Sequence, residues 1–200
     1  MVKTKRIFER NFRIQRILRM AIEEVKIPQE RVAVLVGTKG SMRRKIEKIS
    51  STKLIVDSAN GDVKIEGEDS LKVFTTRDVV KAIGRGFNPL KALKLLEEDN
   101  VFELVSIKEY AGKSQKKEER LKSRIIGTEG KAKKTIEDKT YCELSIYGKT
   151  VGVIGPINKV HIARRAVEMI LHGSQHGHVY QWIDDQLEKE KLDDFSQEIQ

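Results

Sequence analysis

Two short loops of the form Gly-x-x-Gly, 90 residues apart, are the residues of this chain best suited to bind an anion. They read Gly37-Thr38-Lys39-Gly40 and Gly127-Thr128-Glu129-Gly130. Glycines permit a tight turn and leave no side chain to block an approaching phosphate. Where such a loop enters a helix, the helix amides and dipole attract phosphate oxygens. The chemistry predicted is therefore non-covalent binding of a phosphate chain.

Each loop lies inside a longer repeat. Residues 34–47 align without gaps with residues 124–137. In both copies an aliphatic pair precedes the loop, a basic pair follows it, and the stretch ends in Ile-Glu. A repeat of this length predicts two copies of one module. The cations expected to neutralise phosphates are Lys39, Arg43 and Arg44 in the first copy, and Lys131, Lys133 and Lys134 in the second.

Hydrophobic spacing and turn residues predict the elements that position these loops. The first copy reads as a strand (24–27), a helix (29–36), the loop, a helix to about 51, two strands (54–57 and 63–66) around an Asn-Gly turn, and a helix (69–84). The second reads as a strand (102–110), a helix (115–126), the loop, a helix to about 140, two strands (143–147 and 151–154) and a helix (157–171). Pro156 is placed in the first turn of that last helix, and Gly173 closes it.

Helical spacing also selects the side chains expected in the core. Met42, Ile46 and Ile49 share one face of the helix after the first loop. In the helix at 69–84, the residues available for burial are Leu71, Val73, Phe74, Val79, Val80 and Ile83. Leucines in the connector 88–98 predict a short amphipathic helix that packs between the modules or against one of them.

These elements divide the chain into five predicted parts: a basic extension (1–20), a first module (21–87), a helical connector (88–100), a second module (101–175) and an acidic helix or tail (176–200). Met20 is an alternative start, because the first module opens just after it.

The charge distribution points to an acidic partner. The net charge is +9 and the pI is near 9.5. Residues 1–19 are basic and residues 184–200 acidic, yet the stretch between them keeps 30 basic against 22 acidic residues. Because the modules themselves are basic, nucleic acid is the leading partner class.

The sequence gives little support for a membrane span, a disulfide, a metal site or a catalytic site. No run of apolar residues is long enough to span a membrane, and Cys142, the single cysteine, favours a reducing, cytoplasmic setting. His172, His176 and His178 lack an acid or thiol at metal-ligand spacing, so they are interpreted as surface residues. Tyr180 and Trp182 are interpreted as anchors of the C-terminal helix. We predict no catalysis, metal or cofactor.

With its loop between two helices and its β-β-α ending, each copy resembles a KH domain of the eukaryotic type. The resemblance implies an α+β fold of two tandem type-I KH domains, each β-α-α-β-β-α with a three-stranded sheet on three helices, joined by a short helix. It implies that each loop clamps single-stranded RNA beside an apolar groove. That groove would use Val34, Leu35 and the strand 54–56 in the first copy, and Arg124, Ile125 and the strand 144–146 in the second.

The segment 82–99, the second loop region and the stretch from Ile154 to Gly173 are similar to the archaeal ribosome-assembly KH proteins, counterparts of the eukaryotic partner-of-Nob (Pno/Dim-type) factor. This resemblance implies a non-catalytic factor that binds the 3′ region of small-subunit (16S) rRNA. It also implies a Nob-type endonuclease, and pre-ribosomal or initiation factors, as protein partners.

One departure and three alternatives accompany this interpretation. KH loops usually carry a basic residue where the second copy has Glu129, which would repel a phosphate at close range. Both loops could instead be plain helix–helix turns. The modules could serve as a protein–protein adaptor, or they could bind messenger RNA rather than ribosomal RNA.

Overall fold

The computed structural model describes residues 20–198, and the side chains of residues 20–192. The chain divides into two compact units at the bond between Gly84 and Arg85. The predicted basic extension lies outside the described residues, apart from Met20. Within residues 20–198, no helix is long and apolar enough to cross a membrane.

The first unit contains one three-stranded sheet and three helices. Its elements are β1 (Ala21–Lys26), α1 (Gln29–Val36), a 3-10 turn (Thr38–Gly40), α2 (Ser41–Ser50), β2 (Lys53–Asp57), β3 (Asp62–Gly67) and α3 (Ser70–Gly84). Strand β3 is central and pairs antiparallel with β1 and β2. The core lies between the sheet and the helices, with Leu35, Ile46, Ile65 and Ile83 fully buried.

The second unit repeats this order and adds elements at both ends. Its elements are α4 (Pro89–Ala92) with a 3-10 turn (Leu93–Leu96), β4 (Asn100–Ser106), α5 (Ile107–Ala111), α6 (Gln115–Ile126), a 3-10 turn (Thr128–Gly130), α7 (Lys131–Thr140), β5 (Glu143–Tyr147), β6 (Thr150–Pro156), α8 (Ile157–His172) and α9 (His176–Glu198). Strand β6 is central, between β4 and β5. The β-α-α-β-β-α order predicted for both copies is confirmed.

Three boundary predictions were wrong. The first strand, expected over 24–27, is Ala21–Lys26. The strand expected over 102–110 ends at Ser106, and Ile107–Ala111 forms a short helix. Ile107 and Ala111 are four residues apart and both are buried, which is helical spacing, and Gly112 (φ 65°) ends the helix. Pro156 is the last residue of β6 rather than part of the first turn of α8.

Three side chains expected in the first core are exposed. Ile49 is 51% exposed because Ser50 takes the core-facing position of α2, where its hydroxyl donates to the Ile46 carbonyl. Leu71 (72%) and Phe74 (48%) lie off the stripe of α3 that faces the sheet. That stripe is formed by Val73, Thr76, Val80 and Ile83.

The predicted connector belongs to the second unit together with residues 85–87, which had been assigned to the first module, and this segment covers the outer face of the second sheet. Phe87 is buried and meets Phe102 edge to face, with the ring centroids 6.1 Å apart. A Cβ atom at Gly152 would stand 2.6 Å from the Phe87 ring, so only glycine fits under it. The Ser145 hydroxyl donates to the Arg85 carbonyl at 2.9 Å. Two further contacts fix α4 and its 3-10 turn: the ammonium groups of Lys91 and Lys94 bind the Glu143 carboxylate.

Helix α9 packs against the second core. Val179 and Ile183 are fully buried in that core, and Tyr180 and Trp182 pack against it while remaining partly exposed. The interpretation of this helix as anchored on the second module is confirmed. Lys139 of α7 also binds Asp184 of α9, with Nζ–Oδ1 at 2.6 Å.

Candidate nucleic-acid interface

The two Gly-x-x-Gly loops have the same backbone conformation. Gly37 lies at φ 70°, ψ 174° and Gly127 at φ 72°, ψ 174°. The second glycines, Gly40 and Gly130, both adopt the left-handed region at φ 76° and 74°. Each loop is closed by a hydrogen bond from the second glycine amide to the first glycine carbonyl, at 3.1 and 3.2 Å. The sequence repeat is therefore a repeat of structure.

The first glycine of each loop is required by close packing. A Cβ at Gly37 would lie 2.8 Å from the Met42 Cβ, and one at Gly127 would lie 2.6 Å from the Ala132 Cβ. The second glycines are different. No other atom lies within 4 Å of a Cβ at Gly130, and at Gly40 only the flexible end of the Arg44 side chain is near. Because the side of the loop at the second glycine is open, a ligand can approach the backbone there.

The loops lead into helices whose first amides have no side-chain cap. Neither Gly40 before α2 nor Gly130 before α7 provides a capping side chain. The first amides of a helix have no partner within it and carry partial positive charge. In these two helices the first amide, of Ser41 or Lys131, donates to the Thr38 or Thr128 carbonyl of the loop. Each loop therefore presents its opening on the positive end of a ten-residue helix.

The predicted cations surround these helix starts. Lys39, Arg44, Lys131 and Lys134 are exposed, and Arg43 and Lys133 are half-buried. The last two each lie near the glutamate one turn later, at 3.9 Å for Arg43–Glu47 and 3.7 Å for Lys133–Glu137. Such partly exposed pairs are weak and leave the cations able to bind phosphate.

Those two glutamates have a role that sequence analysis did not assign. The Glu47 carboxylate accepts a hydrogen bond from the Leu54 amide at 2.9 Å, and Glu137 accepts one from the Leu144 amide at 2.8 Å. Each glutamate therefore ties the helix after the loop to the strand beside it. The signal was present in the sequence, because both Glu-x₆-Leu spacings repeat at 90 residues.

The predicted groove floors need correction. Leu35, Leu54, Ile125 and Leu144 are buried in the cores, so they cannot line an open groove. Three predicted side chains, Val34, Val56 and Ile146, remain partly exposed. The residues directly before the loops, Val36 and Ile126, are also partly exposed, although they were not predicted to line the groove.

The acidic residue of the second loop has a local counter-ion. The Glu129 carboxylate lies 3.1 Å from the Lys131 Nζ, and both side chains are about three-quarters exposed. Glu129 and Lys39 have nearly the same backbone angles, at φ 53° and 51°. The glutamate therefore changes the charge at the loop but not its shape.

Arg124 is held at the edge of the second loop rather than in a groove floor. Its Nη2 donates to the Ser174 carbonyl at 2.7 Å, and its own carbonyl contacts His176 Nε2 at 2.9 Å. These bonds fix the end of α6 to the start of α9. Arg124 is half-buried and lines the same recess as Gly127 and Thr128.

The remaining candidates have structural surroundings. Cys142 is buried, and burial raises the pKa of its thiol to about 11. The His172 ring packs edge to face on Tyr110, 4.8 Å between centroids. Among the described residues, no group of three or more His, Cys, Asp or Glu is placed to hold a metal ion.

Comparison with known proteins places both units in one fold family. The family described as KH domain matches residues 22–85. The family of the second KH domain of PNO1, described as a eukaryotic-type (type I) KH domain, matches residues 101–188.

Relatives extend this match to nearly the whole chain. A KH domain-containing protein of Methanocaldococcus jannaschii is 45% identical over 175 residues, which are 86% of this chain and 76% of that protein. The pre-rRNA-processing protein PNO1 of Gibberella zeae is 28% identical over 144 residues, 70% of this chain and 51% of that protein.

A solved structure agrees. The aDim2p chain from Pyrococcus horikoshii, in a complex with a/eIF2alpha and rRNA, superposes with a TM-score of 0.79. It is 38% identical, and the match covers 85% of this chain and 96% of that one. The chain therefore belongs to the PNO1/Dim2 family of KH-domain proteins.

Proposed function

We propose that the protein is a non-catalytic assembly factor of the small ribosomal subunit that holds single-stranded RNA at its two Gly-x-x-Gly loops. The observation that carries this proposal is the matching backbone of the two loops, each open at its second glycine and each starting an uncapped basic helix. Main-chain amides and flanking cations are the groups that bind a phosphate chain.

The proposed RNA is the 3′ region of 16S rRNA. Two relatives support ribosomal RNA as the ligand class: one is named for pre-rRNA processing, and the other is seen in a complex that contains rRNA. The bound segment would run past Gly37–Gly40 or Gly127–Gly130, with phosphates near Lys39, Arg43 and Arg44 or near Lys131, Lys133 and Lys134. Thr38 and Thr128 add a hydroxyl at each loop. A Nob-type endonuclease and a/eIF2alpha are the proposed protein partners.

Titration with fluorescent single-stranded RNA tests the RNA-binding part. We expect binding at micromolar protein or below, weakening linearly in a plot of log K against log salt, because phosphate contacts release counter-ions. A 16S 3′-end oligonucleotide should bind more tightly than a scrambled one of equal length. No salt-dependent binding at micromolar protein would refute the proposal and leave the adaptor role.

Crosslinking in cells tests the ribosomal part. We expect enrichment of the 3′ end of small-subunit rRNA over other RNA in the crosslinked fraction. Broad recovery of messenger RNA without that enrichment would instead make the protein a messenger-RNA regulator.

A protein-binding role for the first unit is favoured by one observation. Leu71 and Phe74 expose large apolar side chains on α3, and the Arg77 guanidinium stacks on the Phe74 ring at 3.5 Å. Exposed aromatic and arginine side chains are typical of contacts between proteins. If this surface binds a partner, Leu71→Ser should abolish that complex without changing RNA affinity.

A further inference from the structure

Helix α7, which follows the second loop, has β5 on one side and α9 on nearly the opposite side. Glu137 faces β5, because its carboxylate accepts the Leu144 amide. Lys139 faces α9, because its ammonium binds Asp184. Residues two positions apart point to nearly opposite sides of a helix. An RNA held at Gly127–Gly130 can therefore extend along the β5 side, where the predicted groove lies, or along the α9 side.

The α9 side contains a recess of about 490 Å³. It lies between the end of α6, the second loop, the first turn of α7 and the first turn of α9. Three cations line it, namely Arg120, Arg124 and Lys131, and none of its described lining residues is Asp or Glu. Two aromatic side chains of α9, His176 and Tyr180, also line it.

The walls of this recess are fixed in place. The Arg124 guanidinium donates to the Ser174 carbonyl, and the His176 ring contacts the Arg124 carbonyl, so the start of α9 is tied to the end of α6. The Tyr180 ring lies one turn after His176, with the ring centroids 6.2 Å apart. Tyr180 packs on the second core with part of its surface left exposed. Its exposed part is thus a pre-formed platform.

Cations beside an exposed aromatic ring are typical of sites that bind single-stranded nucleic acid, because the cations bind phosphates and the bases stack on the ring. The volume falls within the range of about 300–1,000 Å³ typical of small-ligand sites. We propose that this recess binds one nucleotide of the RNA strand next to the segment held at the second loop. Its phosphate meets Arg120 and Lys131, and its base stacks on Tyr180.

This inference rests on the proposed function and adds a site that the loops alone do not provide. It also offers a physical role for Lys131, whose exposed pair with Glu129 can open to a phosphate in the recess. The cations of the recess would then offset the repulsion from Glu129. In this way the second unit binds RNA despite an acidic loop.

Two variants of the full chain test the site. Arg120→Gln removes an exposed cation, and should raise the Kd for a twelve-nucleotide single-stranded RNA about 5- to 20-fold. It should also reduce the slope of log K against log salt by about 0.7, the value for one phosphate contact to a single strand. Tyr180→Leu keeps an apolar side chain but removes the stacking ring, and should raise Kd about 5- to 100-fold.

Matched controls distinguish the loss of this site from a general loss of positive charge and from a loss of folding. Lys116→Gln removes one exposed cation from the same helix, about 16 Å from the loop and about 6 Å further from it than Arg120 at 1.5 Å per residue, and should change Kd less than 2-fold. Tyr180→Phe keeps the ring and should bind like the unmodified protein. Thermal denaturation checks the fold of Tyr180→Leu, while Arg120→Gln tests the site without touching the core.

The outcomes distinguish this inference from the proposed function. If Arg120→Gln and a folded Tyr180→Leu bind RNA like the unmodified protein while Gly130→Asp binds poorly, the recess is not a nucleotide site and the loop function stands. If the unmodified protein binds no RNA, the proposed function fails first. Crosslinking of 4-thiouridine RNA to the peptide that contains Tyr180, lost in Arg120→Gln, would support the site.

Discussion

Replacing each glycine of the second loop separates what the loop does for the fold from what it does for RNA. In Gly127→Ala the new Cβ would stand 2.6 Å from the Ala132 Cβ and 2.8 Å from its amide nitrogen. The backbone at φ 72°, ψ 174° adds a strain of about 1–3 kcal/mol for any other residue. Overpacking adds about 1–3 kcal/mol. We expect a total loss of about 2–6 kcal/mol in the free energy of unfolding.

Gly130→Ala changes the same loop with far less effect on stability. The new Cβ meets no atom within 4 Å, so only the left-handed conformation is unfavourable, by about 1–2 kcal/mol. In a unit of this size, about 1 kcal/mol lowers Tm by roughly 4 °C. Thermal denaturation of the two variants should therefore show a clearly larger fall for Gly127→Ala. Equal falls in Tm would refute the steric reasoning.

Gly130→Asp then tests RNA binding in a loop that still folds. A carboxylate about 5 Å from a bound phosphate costs about 1–3 kcal/mol at effective dielectric constants between those of water and a protein surface. Kd for single-stranded RNA should therefore rise about 5- to 150-fold, measured by fluorescence anisotropy. Gly130→Ala is the matched control, because it introduces the same strain without the charge.

The first loop needs the same test, because it can bind RNA when the second is damaged. Gly40→Asp is suitable, since its Cβ would meet only the end of the Arg44 side chain, at 3.1 Å. Gly37 is unsuitable, because its substitution would disturb Met42 and the fold. If Gly40→Asp, Gly130→Asp and the double variant all bind RNA like their alanine controls, the loops do not hold phosphates and act only as turns.

Three further predictions concern the second unit. Glu137→Ala should lower the free energy of unfolding by about 1–3 kcal/mol and speed hydrogen exchange at the Leu144 amide, because that amide loses its acceptor. Glu137→Gln keeps an acceptor oxygen and should lose less stability. Equal exchange rates at the Leu144 amide in Glu137→Ala and the unmodified protein would contradict this. Burial raises the pKa of Glu143, but its hydrogen bonds to the two connector lysines outweigh this and lower the pKa overall. Because the folded pKa is lowered, the unmodified protein should be more stable than Glu143→Gln by about 0.5–1 kcal/mol above about pH 4.3. This difference should disappear as the pH falls through the folded pKa. Chemical denaturation at several pH values measures it, and a difference that persists at low pH would argue against the pairing. The Cys142 thiol, with its pKa near 11, should react with a disulfide reagent at pH 8 only after unfolding, and rapid reaction of the native protein would contradict its burial.

The loops and the order of elements could be predicted because they depend on local rules. Each loop is specified by its glycines, and its position follows from a repeat that is visible without a structure. The strand β5 and the helix α6 begin and end at the predicted residues because their limits also depend on local sequence. Periodicity was less informative at Ile49 and Phe74, because several side chains of a helix satisfy an apolar spacing and only packing selects those that are buried.

Contacts between distant segments could not be predicted. Tyr180 is 53 residues beyond Gly127, and no local pattern indicates that a tyrosine in the C-terminal helix lines the same recess as that glycine. The role of Phe87 on the outer sheet face likewise depends on Gly152, which is 65 residues away. Such pairs have no fixed spacing in the sequence, so they become visible only when the units are folded.

The differences between the two copies follow from what each sheet must accommodate. In the first sheet, Lys64 and Glu66 lie next to each other on the open face of β3 and form an ion pair at 2.8 Å. The corresponding positions of β6 are Gly152, which leaves room for the Phe87 ring, and Ile154, which is buried. The loops show the opposite behaviour, since their backbone angles agree although one carries Lys39 and the other Glu129. Steric demands at the first glycine fix the loop shape, which leaves the side chain between the glycines free to set the charge that an RNA strand meets.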